Sequence, residues 1–520
     1  MPFPTTAVMT RRQRLGWLLR ANRMCGAREE HHQLRDFAAA YAHCGPDTVS
    51  LSTLSRWETG VSDLSYTGVR RYERLLGLPP LSLVSVCDTT SRYLTPPGRC
   101  APLLGRPPLG REKLDELIDR ARGGDVMSGA DWDDLSDLMA RHPGMVISPA
   151  GAWTELAERL LTEMSIADGY FWMARAEALN RLMAHPVGQE AAIAVAAAAA
   201  ADESVQSMIG TVTIFDASAH PAASACVVRH VTHPVTDRTF YGGLLASAKK
   251  LRFGHLDQHQ VGLLVPVLLD LVGHGHRLNE ASLAATLLRM LPADVTRRIG
   301  DRLWQRTVAL LGQPGAAGSA VGRVTAETTA ETTGAGGGFT DRLLPGLVSE
   351  LLYDPVFDMR LYTCFLVNAT PYRLPMARAL ARELGRAGRA GATDRSIALL
   401  EALRVLGDET QRRQVERLLL TPGVPPAVAN SAAYALGHIG GRSCDEYWDR
   451  LTSTYLNRWR CTRSQVDASI LDRVVYALGM SDRLDLLGRL GTETAVPTRV
   501  RQAVLWWTGL PDHIRLSART

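Results

Sequence analysis

The chain has 520 residues, 46% hydrophobic and 21% charged; this is a globular composition and too long for one ordinary core, so about three structural units are expected. No run of about 18 apolar residues and no secretory pattern occurs, which argues against a membrane or secreted protein and for a cytoplasmic, nucleoid-associated one. The net charge is +5, yet residues 1–110 hold 14 arginines, no lysine and eight acids, an excess placed where it would attract a phosphate backbone.

Residues 1–88 read as a compact helical module. Leu15, Leu18 and Leu19 give an apolar stripe to a first helix over about Arg11–Arg23, and Leu34, Phe37, Ala38 and Tyr41 give one to a second over about His31–Ala42. The third lies in "TVSLSTLSRWETG", Thr48–Gly60. There Leu54 and Trp57, three apart, face the core while Ser52, Thr53 and Arg56 face outward. Ser50 is a candidate N-cap, Gly60 suits a turn of positive φ, and Glu58 is expected to pair with an arginine inside the module. A fourth helix, Tyr66–Leu76, turns Val69, Tyr72, Leu75 and Leu76 inward and stops at "GLPP".

Ser52, Thr53, Leu54, Ser55, Arg56, Trp57, Glu58 and Gly60, taken without a gap, resemble the recognition helix of the Cro/C1 (XRE) helix-turn-helix DNA-binding domains. "RRYERLLGLP" resembles the helix that follows in that family. The likeness covers about 80 of 520 residues. It implies double-stranded DNA as the partner, with this helix in the major groove. Ser52, Thr53 and Arg56 then reach base edges, and a bidentate Arg56–guanine contact gives about 1–3 kcal/mol of discrimination. Ser50 leaves helix N–H groups near a phosphate, and His32, Gln33, Arg70 and Arg71 are further expected phosphate neighbours. One departure stands out: between Phe37-Ala38 and Gly60 the chain has about six residues more than the family pattern, including "AHCGPDT", so a longer turn is expected.

Pro and Gly in Thr89–Gly110 mark a linker over residues 89–110, and the near absence of large apolar residues in Gly312–Gly338 marks a flexible, low-complexity one over 312–338. Between them, residues 111–311 are helical in pattern. Trp153, Leu156, Leu160, Leu161 and Met164 form one stripe, Ala191–Ala201 has high helix propensity, and Thr211–Phe215 is the best strand candidate. In residues 339–520 the segments Val428–Gly437 and Val500–Gly509 match, each following a proline, and each such helix has an upstream partner such as "SIALLEALRVL". These features resemble HEAT-type repeats. The expected fold is all-α: a helix-turn-helix domain followed by a HEAT-like α-solenoid or a helical bundle.

Eight cysteines without a C-x-x-C pair are expected to be reduced and mostly buried. Nucleotide, dinucleotide, zinc-protease and nucleophile-elbow motifs are missing, so neither catalysis nor a cofactor is expected. His255 and His259, followed by His274 and His276, lack a completing acid or cysteine for a metal. Trp506 and Trp507 read as repeat-seam residues rather than base-stacking ones. Together the residues predict a sequence-specific transcriptional regulator acting as a homodimer. Its helical region would dimerise, sense a small ligand or peptide, or contact a protein such as RNA polymerase. An interaction scaffold, an antitoxin-like partner and a HEAT-fold nucleic-acid enzyme are the alternatives.

Overall fold

The computed structural model describes residues 9–44, 49–95, 105–149, 151–207, 211–274, 277–311, 317–333 and 341–520, and every regular element among them is helical. The first five helices are α1 (Arg11–Cys25), α2 (Leu34–His43), α3 (Leu51–Glu58), α4 (Tyr66–Leu76) and α5 (Ser82–Leu94). Next come α6 (Arg111–Gly123), α7 (Gly129–Arg141), α8 (Ala152–Ile166), α9 (Gly169–Ala184) and α10 (Gln189–Ala201). A further group is α11 (Pro221–Thr232), α12 (Asp237–Phe253), α13 (Gln258–His274), α14 (Leu278–Met290), the single turn α15 (Ala293–Thr296), α16 (Asp301–Leu311) and α17 (Ala317–Thr333). The last are α18 (Leu344–Tyr353), α19 (Phe357–Asn368), α20 (Arg373–Arg389), α21 (Thr393–Leu406), α22 (Glu409–Leu420), α23 (Pro426–Leu436), α24 (Asp445–Thr462), α25 (Gln465–Met480), α26 (Leu484–Thr492), α27 (Thr498–Thr508) and α28 (Asp512–Ser517). Thr10, Ser128, Thr236 and Asp408 each close a capping box, which fixes four of the starts locally.

Helices α19, α21, α23, α25 and α27 lie side by side in one layer, backed by α20, α22, α24 and α26, as in an α-solenoid. Small residues make the seam: a Cβ added to Gly479 would fall 2.1 Å from the Trp507 ring, which fills that bay and is buried. The pairing read from the sequence is revised in one respect. "SIALLEALRVL" is α21, a neighbour of α23 within its own layer, and the helix that backs α23 is α22. A second array repeats the plan, with α7 and α9 backed by α6, α8 and α10, and α12 and α14 backed by α11 and α13. Between α10 and α12 runs Thr211–Asp216, a 3₁₀ turn rather than the strand its alternation suggested, with Val212 and Phe215 both fully buried.

Helix α5 packs between the two arrays, against α9 and α19. Residues Thr89–Leu94, assigned by composition to a linker, are its last turns, and Thr89, Thr90, Ser91 and Tyr93 are buried. Residues 96–104 of that linker lie outside the described residues. The flexible assignment of 312–338 is likewise corrected over Ala317–Thr333, which is α17. Ala320, Val324 and Thr328, each four apart, give it a narrow buried stripe, and Arg323–Glu383 and Arg382–Glu327 ion pairs hold it to α20.

Helix α28 returns to the second array, against α8. The Thr520 carbonyl accepts from Gly129 N–H (2.8 Å), and the Ser517 hydroxyl accepts from Met127 N–H (3.0 Å). Beneath them Glu163, fully buried, accepts from Arg175 Nε (3.0 Å), Arg159 Nε (2.9 Å) and Trp132 Nε1 (2.7 Å). One apolar cluster runs from Leu15 to Ala518, and a second, around α12, α13 and α14, includes Tyr93. No helix among the described residues is long and apolar enough to cross a membrane. Of the described cysteines Cys87, Cys226 and Cys364 are buried, but Cys44, Cys444 and Cys461 are exposed; Cys100 lies outside the described residues.

Candidate nucleic-acid interface

Ser50 starts α3. Its hydroxyl accepts from Thr53 N–H (3.2 Å) and shares hydrogen bonds with the hydroxyls of Ser52 (2.8 Å) and Thr53 (2.9 Å). Leu54 is fully buried, while Trp57 is half-buried and stands edge-on to Tyr41 of α2, ring centroids 6.2 Å apart. The firmest anchor is Glu58. Its buried carboxylate accepts from Arg23 Nε (2.7 Å) and Nη2 (2.8 Å) of α1 and from the Tyr72 hydroxyl (3.0 Å) of α4. The intramodule arginine expected for Glu58 is therefore Arg23. Burial and the nearby Glu58 charge hold the Tyr72 hydroxyl well above its ordinary range, so it remains a donor.

Backbone meets backbone behind α3. A Cβ on Gly16 of α1 would lie 2.5 Å from the Trp57 carbonyl oxygen and 2.8 Å from the Gly60 nitrogen. Gly60 itself sits at φ +71°, and a Cβ there would run into the Arg12 backbone at 2.7 Å. Two glycines thus let the end of α3 rest directly on α1. Gly60 was legible as a turn; Gly16, inside a helix, carried no such signal.

Outward, α3 presents Leu51, Ser52 and Arg56 and its C-cap Thr59, with Thr53 and Ser55 partly exposed. The Arg56 side chain makes no hydrogen bond or ion pair with any described residue. The same is true of Arg35 in the first turn of α2, which the sequence reading passed over; these are the only arginines of α2 and α3, and both are exposed.

Other expected contacts fall elsewhere. Helix α2 begins at Leu34, not near His31, and the His32 ring is tied to the Gly26 carbonyl at 2.8 Å. Gln33 is exposed at the N-cap of α2 without a side-chain capping bond. Arg70 pairs with Glu73, whose carboxylate accepts from Leu81, Leu83 and Val84 N–H (3.0, 2.8 and 3.1 Å) and so starts α5. Arg71 is 5% exposed and lies over the Tyr41 ring, 4.5 Å from its centroid, which places it in the core rather than beside a phosphate. Gly45–Thr48, most of the longer turn expected before α3, lie outside the described residues.

The module is docked, not tethered. Arg14 makes a two-pronged ion pair to Glu350, Trp17 Nε1 donates to Asp341 (2.7 Å) and Asn22 Nδ2 donates to the Ala369 carbonyl (2.7 Å). Much of the N-terminal basic excess is spent on such internal pairs, Arg92–Glu177 and Arg106–Asp133 among them. Among the metal candidates, His259 lies in the first turn of α13 and His255 precedes that helix, so they share no helix face; His276 lies outside the described residues. Compared with known proteins, the chain, an all-α molecule of two helical arrays, matches no family model, no curated protein and no solved structure.

Proposed function

We propose that the chain is a sequence-specific DNA-binding transcriptional regulator in which the outer face of α3 enters the major groove. The observation that supports this most is the division of α3: its rear is fixed by Leu54 and Glu58, while in front Ser52 is exposed and the exposed Arg56 side chain has no partner among the described residues. In this reading Arg56 contacts a guanine edge, Ser52 and Thr53 contact bases or the adjacent sugar, and Arg35 and Gln33 contact phosphates. The protein binds as a homodimer to half-sites about one helical turn apart, and the helical arrays dimerise, sense a ligand or bind a partner.

Selection of duplexes from a random library by the full-length chain is the direct test. A recurrent half-site is expected. Recovery of the library unchanged, with no sequence-preferring complex in a mobility shift, overturns the proposal. Arg35→Ala should weaken binding to all duplexes alike and reduce the salt slope by about one.

A further inference from the structure

A cavity of about 40 Å³ lies where α5, α9, the turn Thr211–Asp216, α12 and α19 converge. Two of the cations in its lining are already matched. Arg92 of α5 grips Glu177 of α9, with Nε 2.6 Å from Oε1, and Lys249 of α12 meets Asp216 at 3.1 Å. The carboxylate of Asp358 in α19 is unmatched: the residue is only 4% exposed and lines the cavity, yet this side chain makes no hydrogen bond or ion pair with any described residue. The Thr89 hydroxyl of α5, in the same lining and 5% exposed, also has no hydrogen-bond partner among the described residues.

Buried polar groups are normally satisfied, and a buried charge is tolerated only when paired. Burial, with Asp216 nearby, pushes the Asp358 carboxyl up to about 7, against the pull of Lys249 and Arg360. Three acids, Glu177, Asp216 and Asp358, face two cations, so one positive charge is missing. An anion entering here would meet Asp358 while Arg92 and Lys249 are engaged. No group of three His, Cys, Asp or Glu able to hold a metal ion occurs among the described residues. The Trp172 and Tyr362 rings in the lining suit a cation with an alkyl stem. The space holds a few waters or one ammonium head. It adjoins a cleft of about 420 Å³ that shares Arg92, Glu177 and Asn180, which leaves room for the rest of a ligand.

We propose that this cavity binds the ammonium head of a small aliphatic amine, with Asp358 as counter-ion and the Thr89 hydroxyl as a second acceptor. The site is separate from the outer face of α3 and stands whether or not that face binds DNA.

The test uses the full-length chain without DNA. n-Butylammonium chloride is titrated calorimetrically at about pH 8, where Asp358 is charged, with 1-butanol and potassium chloride in parallel arms. Saturable binding of the amine alone is expected. Asp358→Asn should weaken it about tenfold or more and Thr89→Val several-fold, with circular dichroism unchanged. Thr89→Val carries the test if Asp358→Asn does not fold. Potassium chloride binding as well as the amine, undiminished amine binding in both variants, or no saturable binding by about 50 mM amine each overturns the proposal.

Discussion

Glu58 holds three hydrogen bonds at the rear of α3 and leaves the front face untouched. Glu58→Ala strands a buried Arg23 guanidinium, so urea unfolding should show a loss of about 3–5 kcal/mol, whereas Tyr72→Phe should lose about 1 kcal/mol. Equal small losses would mean that the clasp does not carry the module. Asp358 makes a prediction in pH. Its carboxyl sits at about 7 in the folded chain against 3.8 ordinarily, so folding takes up a proton between those values, and stability falls as pH rises through that window. Asp358→Asn, compared with the parent by urea unfolding without amine, should gain about 3 kcal/mol more at pH 8 than at pH 5. A pH-independent difference would contradict the raised carboxyl. At this scale the sequence was legible where local chemistry decides, as at Ser50, Leu54 and Gly60. It was not legible at Arg71 or Arg70, because which arginine is buried or paired depends on Tyr41 and Glu73, brought there by tertiary packing.

Among the elements, α3 and α4 follow from spacing and caps, and α8 and α10 from stripe and propensity. The last turns of α5 and the whole of α17 were hidden for a common reason. Both bury small or hydroxylic residues, Thr89, Thr90 and Ser91 in one and Ala320 and Thr328 in the other, so their sequences look like linkers until a neighbouring helix covers them. The crossing of α1 and α3 was hidden too, since it depends on Gly16. Gly16→Ala places a methyl 2.5 Å from the Trp57 carbonyl oxygen, so α3 must move or the module must lose stability. The expected cost is about 1–3 kcal/mol in urea unfolding, with weaker binding to any selected duplex. An unchanged variant would show that α3 is not seated on α1.

Over the whole molecule, α1 and α5 bury their faces against the C-terminal and middle arrays, and α28 returns to α8. The sequence boundary at residue 88 falls inside α5, and a fragment ending after Thr95 leaves Trp17 and Tyr93 uncovered, along with Arg14 without Glu350. Circular dichroism and hydrogen exchange of residues 1–95 should show little protected helix, and a cooperative, fully protected fragment would contradict the continuous core. A rigidly docked module also fixes the direction in which the outer face of α3 points. The most direct test of that face is the binding of full-length protein and its Arg56→Ala variant to the selected duplex and to each single base-pair change in it, at one salt concentration. The variant is expected to lose about tenfold or more of its discrimination at one base pair and to keep it at the others. A variant that discriminates at every position as the parent does would contradict the contact of Arg56 with a base.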